Sequence, residues 1–154
     1  MPTKPIPEGR HAATPYLSVR DAVRALEFYR DAFGATEKSR LMQPDGRVGH
    51  AEIAIGEAQI MLADEFPEMG LKSPLALGGT PVTIHLYVAD VDAFAARAVA
   101  AGATLKRAVV DQFYGDRSGT LVDPFGHVWM IATHKEDVSP EEMQRRLSKL
   151  YGGK

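Results

Sequence analysis

His50 and Glu52 stand two residues apart in "VGHAEIAI", and His85 sits in "TIHLYV". If both stretches are strands, the alternation of side chains sends each of these groups to the face opposite the aliphatic residues. Two imidazoles and a carboxylate that meet on such a face can bind a transition metal with open positions, or act as base and acid. The same residues can equally form a polar wall, held by hydrogen bonds or solvated. Facing direction alone leaves both possibilities open. Alternation adds Tyr16, Tyr87, Met61 and Met130 to the same set. The two methionines are either core packing or an adaptable apolar floor for a flat or irregular ligand.

The elements that would position these groups occur twice. "YLSVRDAVRALEFYRDAFGA" from Tyr16 matches "HLYVADVDAFAARAVAAGAT" from His85 at an offset of 69 residues. That offset pairs Leu17 with Leu86, Val19 with Val88 and Asp21 with Asp90. Far downstream it also pairs Met61 with Met130 and Leu62 with Ile131. Residues 14–64 and 81–134 are therefore two copies of one module, and the Pro- and Gly-rich stretch 65–80 reads as a loop linker.

Each module opens on a strand, at 14–19 and 82–88. Asp21 and Asp90 then cap a helix, because a short carboxylate accepts from free N–H groups of the first turn. Ala22, Ala25, Leu26 and Tyr29 make one apolar stripe, and Val91, Phe94, Ala95 and Ala98 make the other. Gly34 and Gly102 end these helices. Three strands follow in each copy, at 37–43, 48–55 and 58–63, then at 104–110, 118–122 and 128–133. In the last hairpin, "DPFG" at 123–126 is turn chemistry: Pro124 presets φ and Gly126 tolerates a positive φ. His127 beside it reads as structural. Phe113, Tyr114, Asp116 and Arg117 read as a loop that closes over the site, with Arg117 meeting an anionic ligand or pairing with Asp116 or Asp111. Carrying the offset of 69 to Glu52 places Leu121 on the ligand face. Beyond the modules, "SPEE" at 139–142 starts a helix with Ser139 as cap, Pro140 in the first turn and Glu142 closing a capping box. The domain organisation read from the sequence is one domain over 1–135 and a helical tail over 136–154.

The totals narrow the function classes. At 154 residues the chain suits one domain with a real core. A net charge of −2 without basic runs gives no footprint for nucleic acid. There is no cysteine, which excludes a disulfide framework, a thiolate metal site and a cysteine nucleophile. No apolar run is long enough for a membrane helix, and "MPTKPIPEGRH" lacks the apolar core of a signal peptide. The expectation is a cytoplasmic protein that handles a small molecule, without nucleic acid or membrane.

"LSVRDAVRALEFYRDAFGA" early and "YGDRSGTLVDPFGHVW" late, within two β-α-β-β-β modules, resemble the vicinal oxygen chelate superfamily. This is the glyoxalase, bleomycin-resistance and extradiol dioxygenase group, and the second motif resembles an uncharacterised bacterial branch of it. The resemblance implies an α+β fold in which two tandem modules curl a mixed sheet into a cup, here followed by a C-terminal helix. It also implies a homodimer, with cups sometimes built across subunits. Metal-dependent members place a histidine or glutamine on the first strand of each module and a carboxylate on the last. In this sequence those positions are Thr14, Thr83, Met61 and Met130. Hydroxyls and thioethers do not make a site for a hard or borderline divalent ion.

The reading adopted is a metal-free, small-molecule-binding protein without a cofactor. It sequesters a planar or peptide-like ligand among Tyr16, His50, Glu52, Met61, His85, Tyr87, Phe113, Tyr114, Leu121 and Met130. The alternative is a lyase, isomerase or dioxygenase whose catalytic residues are His50, Glu52 and His85, with a divalent transition metal or as acid and base. A third possibility, an interaction module, rests on the C-terminal helix alone.

Overall fold

The computed structural model describes residues 2–152; the extreme ends of the two expected domain ranges, Met1 and Gly153–Lys154, lie outside them. The chain divides into two compact units. One holds the chain up to Arg30 together with Gly34–Ser73; the other holds Asp31–Phe33 and everything from Pro74 on.

The first unit carries β1 (Tyr16–Val19), most of α1 (Ala22–Phe33), β2 (Thr36–Met42), β3 (Val48–Ile55) and β4 (Ala58–Asp64). Its sheet has the order β1-β4-β3-β2, with β1 parallel to β4 and the other pairs antiparallel. Alternation holds as read: Leu17, Val19, Ile53, Ile55, Ile60 and Leu62 are buried, whereas His50, Glu52, Gln59 and Met61 are half-buried. Asp21 accepts from the Arg24 N–H at the start of α1 and takes a left-handed φ of 68°, which aspartate tolerates better than most residues. Gly34 closes the helix with the same left-handed geometry. The linker is more ordered than a loop. It folds into a 3-10 turn at Pro67–Met69 and a single helical turn, α2 (Pro74–Leu77).

The second unit repeats the plan with β5 (Thr83–Tyr87), α3 (Val91–Ala101), β6 (Thr104–Asp111), β7 (Asp116–Val122) and β8 (Val128–His134). Its sheet order, β5-β8-β7-β6, and its parallel β5–β8 pair match the first. Asp90 caps α3 on the Ala93 N–H, and α3 packs on β6, β7 and β8. Trp129, Leu121 and Ile131 are fully buried here, and Phe33 packs edge-on to Trp129 and stacks on Phe94. The fold is α+β: two four-stranded mixed sheets from tandem β-α-β-β-β modules, then a C-terminal helix, α4 (Pro140–Tyr151).

Three expectations need correction, and one is met in one of its alternatives. First, Leu121 does not share a face with the candidate ligand groups. It is registered with Trp129 and has no exposed surface. The cause is one extra residue in the later hairpin. Ile55 pairs with Ala58 across two turn residues, whereas the Asp123 N–H bonds the His127 carbonyl across three. The offset is therefore 69 on β8 but 68 on β7, and Glu52 corresponds to Thr120, which pairs with Met130 as Glu52 pairs with Met61. Second, the expected closing loop is a tight turn at 112–115, fastened by the Gln112 N–H on the Asp116 carbonyl; Asp116 and Arg117 lie in β7. Third, Arg117 pairs with Asp111, one of its two expected partners, and also with Asp92, which the sequence reading did not name. Fourth, Ser139 accepts from the Glu142 N–H as expected, but the Glu142 carboxylate bonds Arg145 and Arg146, so only half of the capping box forms.

Candidate functional site

On the first sheet, β1, β3 and β4 bring Tyr16, His50, Glu52 and Met61 to one face. The Tyr16 hydroxyl lies 2.8 Å from His50 Nδ1. His50 Nε2 lies 3.5 Å from Glu52 Oε1. Glu52 is also claimed by a residue the sequence reading missed. Arg10 approaches both of its oxygens, with Nη1 2.6 Å from Oε1 and Nη2 2.7 Å from Oε2. Ser39 adds a longer bond, at 3.3 Å. The N-terminal segment is held over this face a second time, by Gln59 donating to the Gly9 carbonyl at 2.6 Å. Nothing in the local sequence marks Arg10, because its segment has no periodicity; only the folded chain brings it to a partner 42 residues away.

The forked guanidinium and the neighbouring donors hold the Glu52 carboxyl down to about 2, against the burial that would raise it. Partial burial, then the nearby Glu52 charge, raise the Tyr16 phenol above its ordinary value. The arrangement is a line of phenol, imidazole, carboxylate and guanidinium. Glu52 in it is an ionised hydrogen-bond acceptor at neutral pH.

On the second sheet the positions of Tyr16 and Met61 are taken by His85 and Met130, which face each other across β5 and β8. The His85 ring lies 4.7 Å from that of Tyr87. Tyr87 donates to Asp116 Oδ2 at 2.7 Å, and Asp116 Oδ1 lies 2.7 Å from His134 Nδ1. His134 Nε2 lies 2.8 Å from Asp137. Tyr114 reaches Ser118 at 3.3 Å and packs edge-on to Phe113, whose carbonyl accepts from Arg146.

Asp116 is nearly buried, which by itself raises a carboxyl. The bonds from His134 and Tyr87, with the His134 charge, outweigh burial and lower it. His134 is raised by Asp116 first and Asp137 second. His134 was absent from the sequence reading, and Asp116 entered it only in the expected closing loop and as a possible partner of Arg117, although a legible signal for His134 existed. Met130, Ala132 and His134 alternate on one strand, so extending β8 by one residue finds His134.

His50 and Glu52 therefore meet within the first unit, while His85 belongs to the second unit with Tyr87. Among the described residues, no group of three or more His, Asp or Glu side chains is clustered to hold a metal ion. The implied ligand positions carry the wrong donors. Met61 and Met130 are half-buried thioethers, Thr83 is exposed and Thr14 is half-buried. These residues do not fit the metal centre of the metal-dependent relatives.

With two βαβββ modules and these two faces in view, comparison with known proteins is direct. The chain belongs to the Glyoxalase/Bleomycin resistance protein/Dioxygenase superfamily, whose family model matches residues 10–131. It is 48% identical over 140 residues to the uncharacterized protein Rv0887c of Mycobacterium tuberculosis, covering 89% of this chain and 82% of that one. Among solved structures, protein PA1353 from Pseudomonas aeruginosa superposes with a TM-score of 0.66 at 22% identity, over 82% of this chain and all of that one. The fosfomycin resistance protein FosX from Listeria monocytogenes, crystallised with Mn(II) and sulfate, gives 0.62 at 19%, over 89% and 97%. At these identities the two structures speak for the fold alone. No helix among the described residues is long and apolar enough to cross a membrane.

Proposed function

We propose that this protein is a small-molecule-binding member of its superfamily that takes a planar or peptide-like ligand on its sheet faces without a resident metal. One observation carries the reading. The two strand positions where metal-dependent members place carboxylates carry half-buried methionines, each registered beside an aromatic or imidazole ring: Met61 beside Tyr16, and Met130 beside His85. A polarisable, unbranched thioether next to a ring makes a conformable apolar contact for a flat ligand and a poor grip for a hard cation. We also propose that it works in the cytoplasm as a homodimer, which rests on the family resemblance and the cysteine-free composition.

A second reading, an acid–base or metal-assisted lyase, isomerase or dioxygenase, is favoured by the approach of His50 to Glu52. The Arg10 fork on both Glu52 oxygens opposes it, since it holds the carboxylate ionised and occupied.

Two measurements separate the readings. Elemental analysis of protein purified without chelators should find no stoichiometric transition metal. A bound metal lost in His50→Ala would overturn the binding reading in favour of the enzyme. Thermal unfolding of metal-free protein against aromatic and peptide antibiotics should show stabilisation, about 2.7 kcal/mol at a hundredfold excess over the dissociation constant.

A further inference from the structure

β2 departs from regular pairing at one residue. Glu37 is registered with Ile53 and Ser39 with Glu52, so Lys38 is an extra residue opposite a single step of β3. Such a β-bulge re-aims a side chain that a regular strand would send elsewhere. Here it turns Lys38 into the wall of a cavity of about 200 Å³, shared with Arg10, Glu52, Ala54, Gln59 and Met61. The bulge is duplicated. Leu105 pairs with Leu121 and Arg107 with Thr120, which leaves Lys106 as the extra residue of β6 at the same place in the second module.

The charges around the cavity do not cancel. Glu52 is matched by the Arg10 fork. Lys38 is exposed at the mouth of the cavity, and its ammonium has no hydrogen-bond or ion-pair partner among the described residues. Gln59 presents a buried amide oxygen that lacks a donor, while its nitrogen is spent on Gly9; that oxygen calls for a donor, so an anion in the cavity belongs on the Lys38 side. Ala54 and Met61 are apolar. The cavity is smaller than the roughly 300 Å³ at which drug-sized pockets begin.

We infer that this cavity is a subsite for a small monocarboxylate, or the carboxylate end of a larger ligand, with Lys38 as its charge partner and Met61 against its apolar body. This rests on the small-molecule reading above and specifies what the first sheet recognises.

The test is a titration of the 15N-labelled 154-residue chain, followed by amide chemical shifts at constant ionic strength. The probes are acetate, propionate and benzoate, each against its neutral amide. At least one carboxylate should saturably shift the amides of residues 38, 52–54 and 59–61, with its amide binding at least about tenfold more weakly. That is the discrimination expected of one charge-assisted hydrogen bond. Lys38→Gln should weaken the carboxylate about tenfold, and Lys38→Arg should restore much of it; unchanged spectra elsewhere show that both variants fold. Equal binding of acid and amide, undiminished binding by Lys38→Gln, or no saturating carboxylate in the set overturns the inference. If neutral compounds alone move these amides, the small-molecule reading survives and only the carboxylate is lost. If no compound of either kind moves them, and none stabilises the protein thermally, both fail.

Discussion

Asp123 does its work with three hydrogen bonds inside the later hairpin. Oδ1 accepts the Phe125 and His127 backbone N–H groups, and Oδ2 accepts the buried indole N–H of Trp129. Asp123→Ala would strand those donors, so we expect a loss of about 3 kcal/mol in urea unfolding. The residue types of "DPFGH" were legible as turn chemistry; the anchoring of Trp129 was not, because it joins positions on two sides of a folded turn. His134 offers a prediction of a different kind. Its pKa is raised in the folded protein by Asp116 and Asp137, so the stability it contributes is complete below about 6.5 and fades as pH rises through the folded value. The unfolding midpoints of wild type and His134→Gln should therefore converge as pH rises above neutrality. In NMR titration, Asp116→Asn should bring the His134 pKa back toward its ordinary value. If His134 titrates at its ordinary value in the wild type, the bonded arrangement of Asp116, His134 and Asp137 is wrong.

Elements were readable where a single periodicity governs them. The cap–stripe–glycine pattern located α1 and α3 because N-capping, burial of one helix face and a left-handed stop are local requirements. Strand faces were equally legible, as Leu17 and Val19 against Tyr16 show. Register was not. One additional turn residue moved β7 by one position and turned Leu121 into the core, since side chains alternate with period two and a single step exchanges faces. Leu121→Ala should accordingly cost roughly 2–5 kcal/mol through loss of a fully buried side chain. Thr120→Ala, on the opposite face, should leave stability within about 0.5 kcal/mol. Chemical denaturation of the two variants decides the assignment: the reverse order would restore the offset of 69 at β7. The same sensitivity explains why the lysine bulges escaped notice, for an extra residue in one strand is visible only against the strand it pairs with.

At the scale of the whole molecule, duplication is the organising fact. Two β-α-β-β-β modules give two sheets with the same order and the same parallel outer pair, and each presents a polar face of its own composition. In the first sheet Tyr16, His50 and Glu52 are drawn into one line by Arg10; in the second, Tyr87, Asp116 and His134 form a line the first does not contain. The internal repeat and the apolar periodicities determined the two β-α-β-β-β modules, because these depend on residue type and on spacings that any observer can count along the chain; the family resemblance then implied which positions, Thr14, Met61, Thr83 and Met130, to compare with metal ligands. Tertiary structure alone decided which charged groups meet. Arg10 reaches Glu52, Asp116 reaches His134 and Arg117 reaches Asp92. Electrostatic and hydrogen-bonded partners are set by distances of about 3 Å between residues remote in sequence, and no pattern along a single strand or helix carries that information.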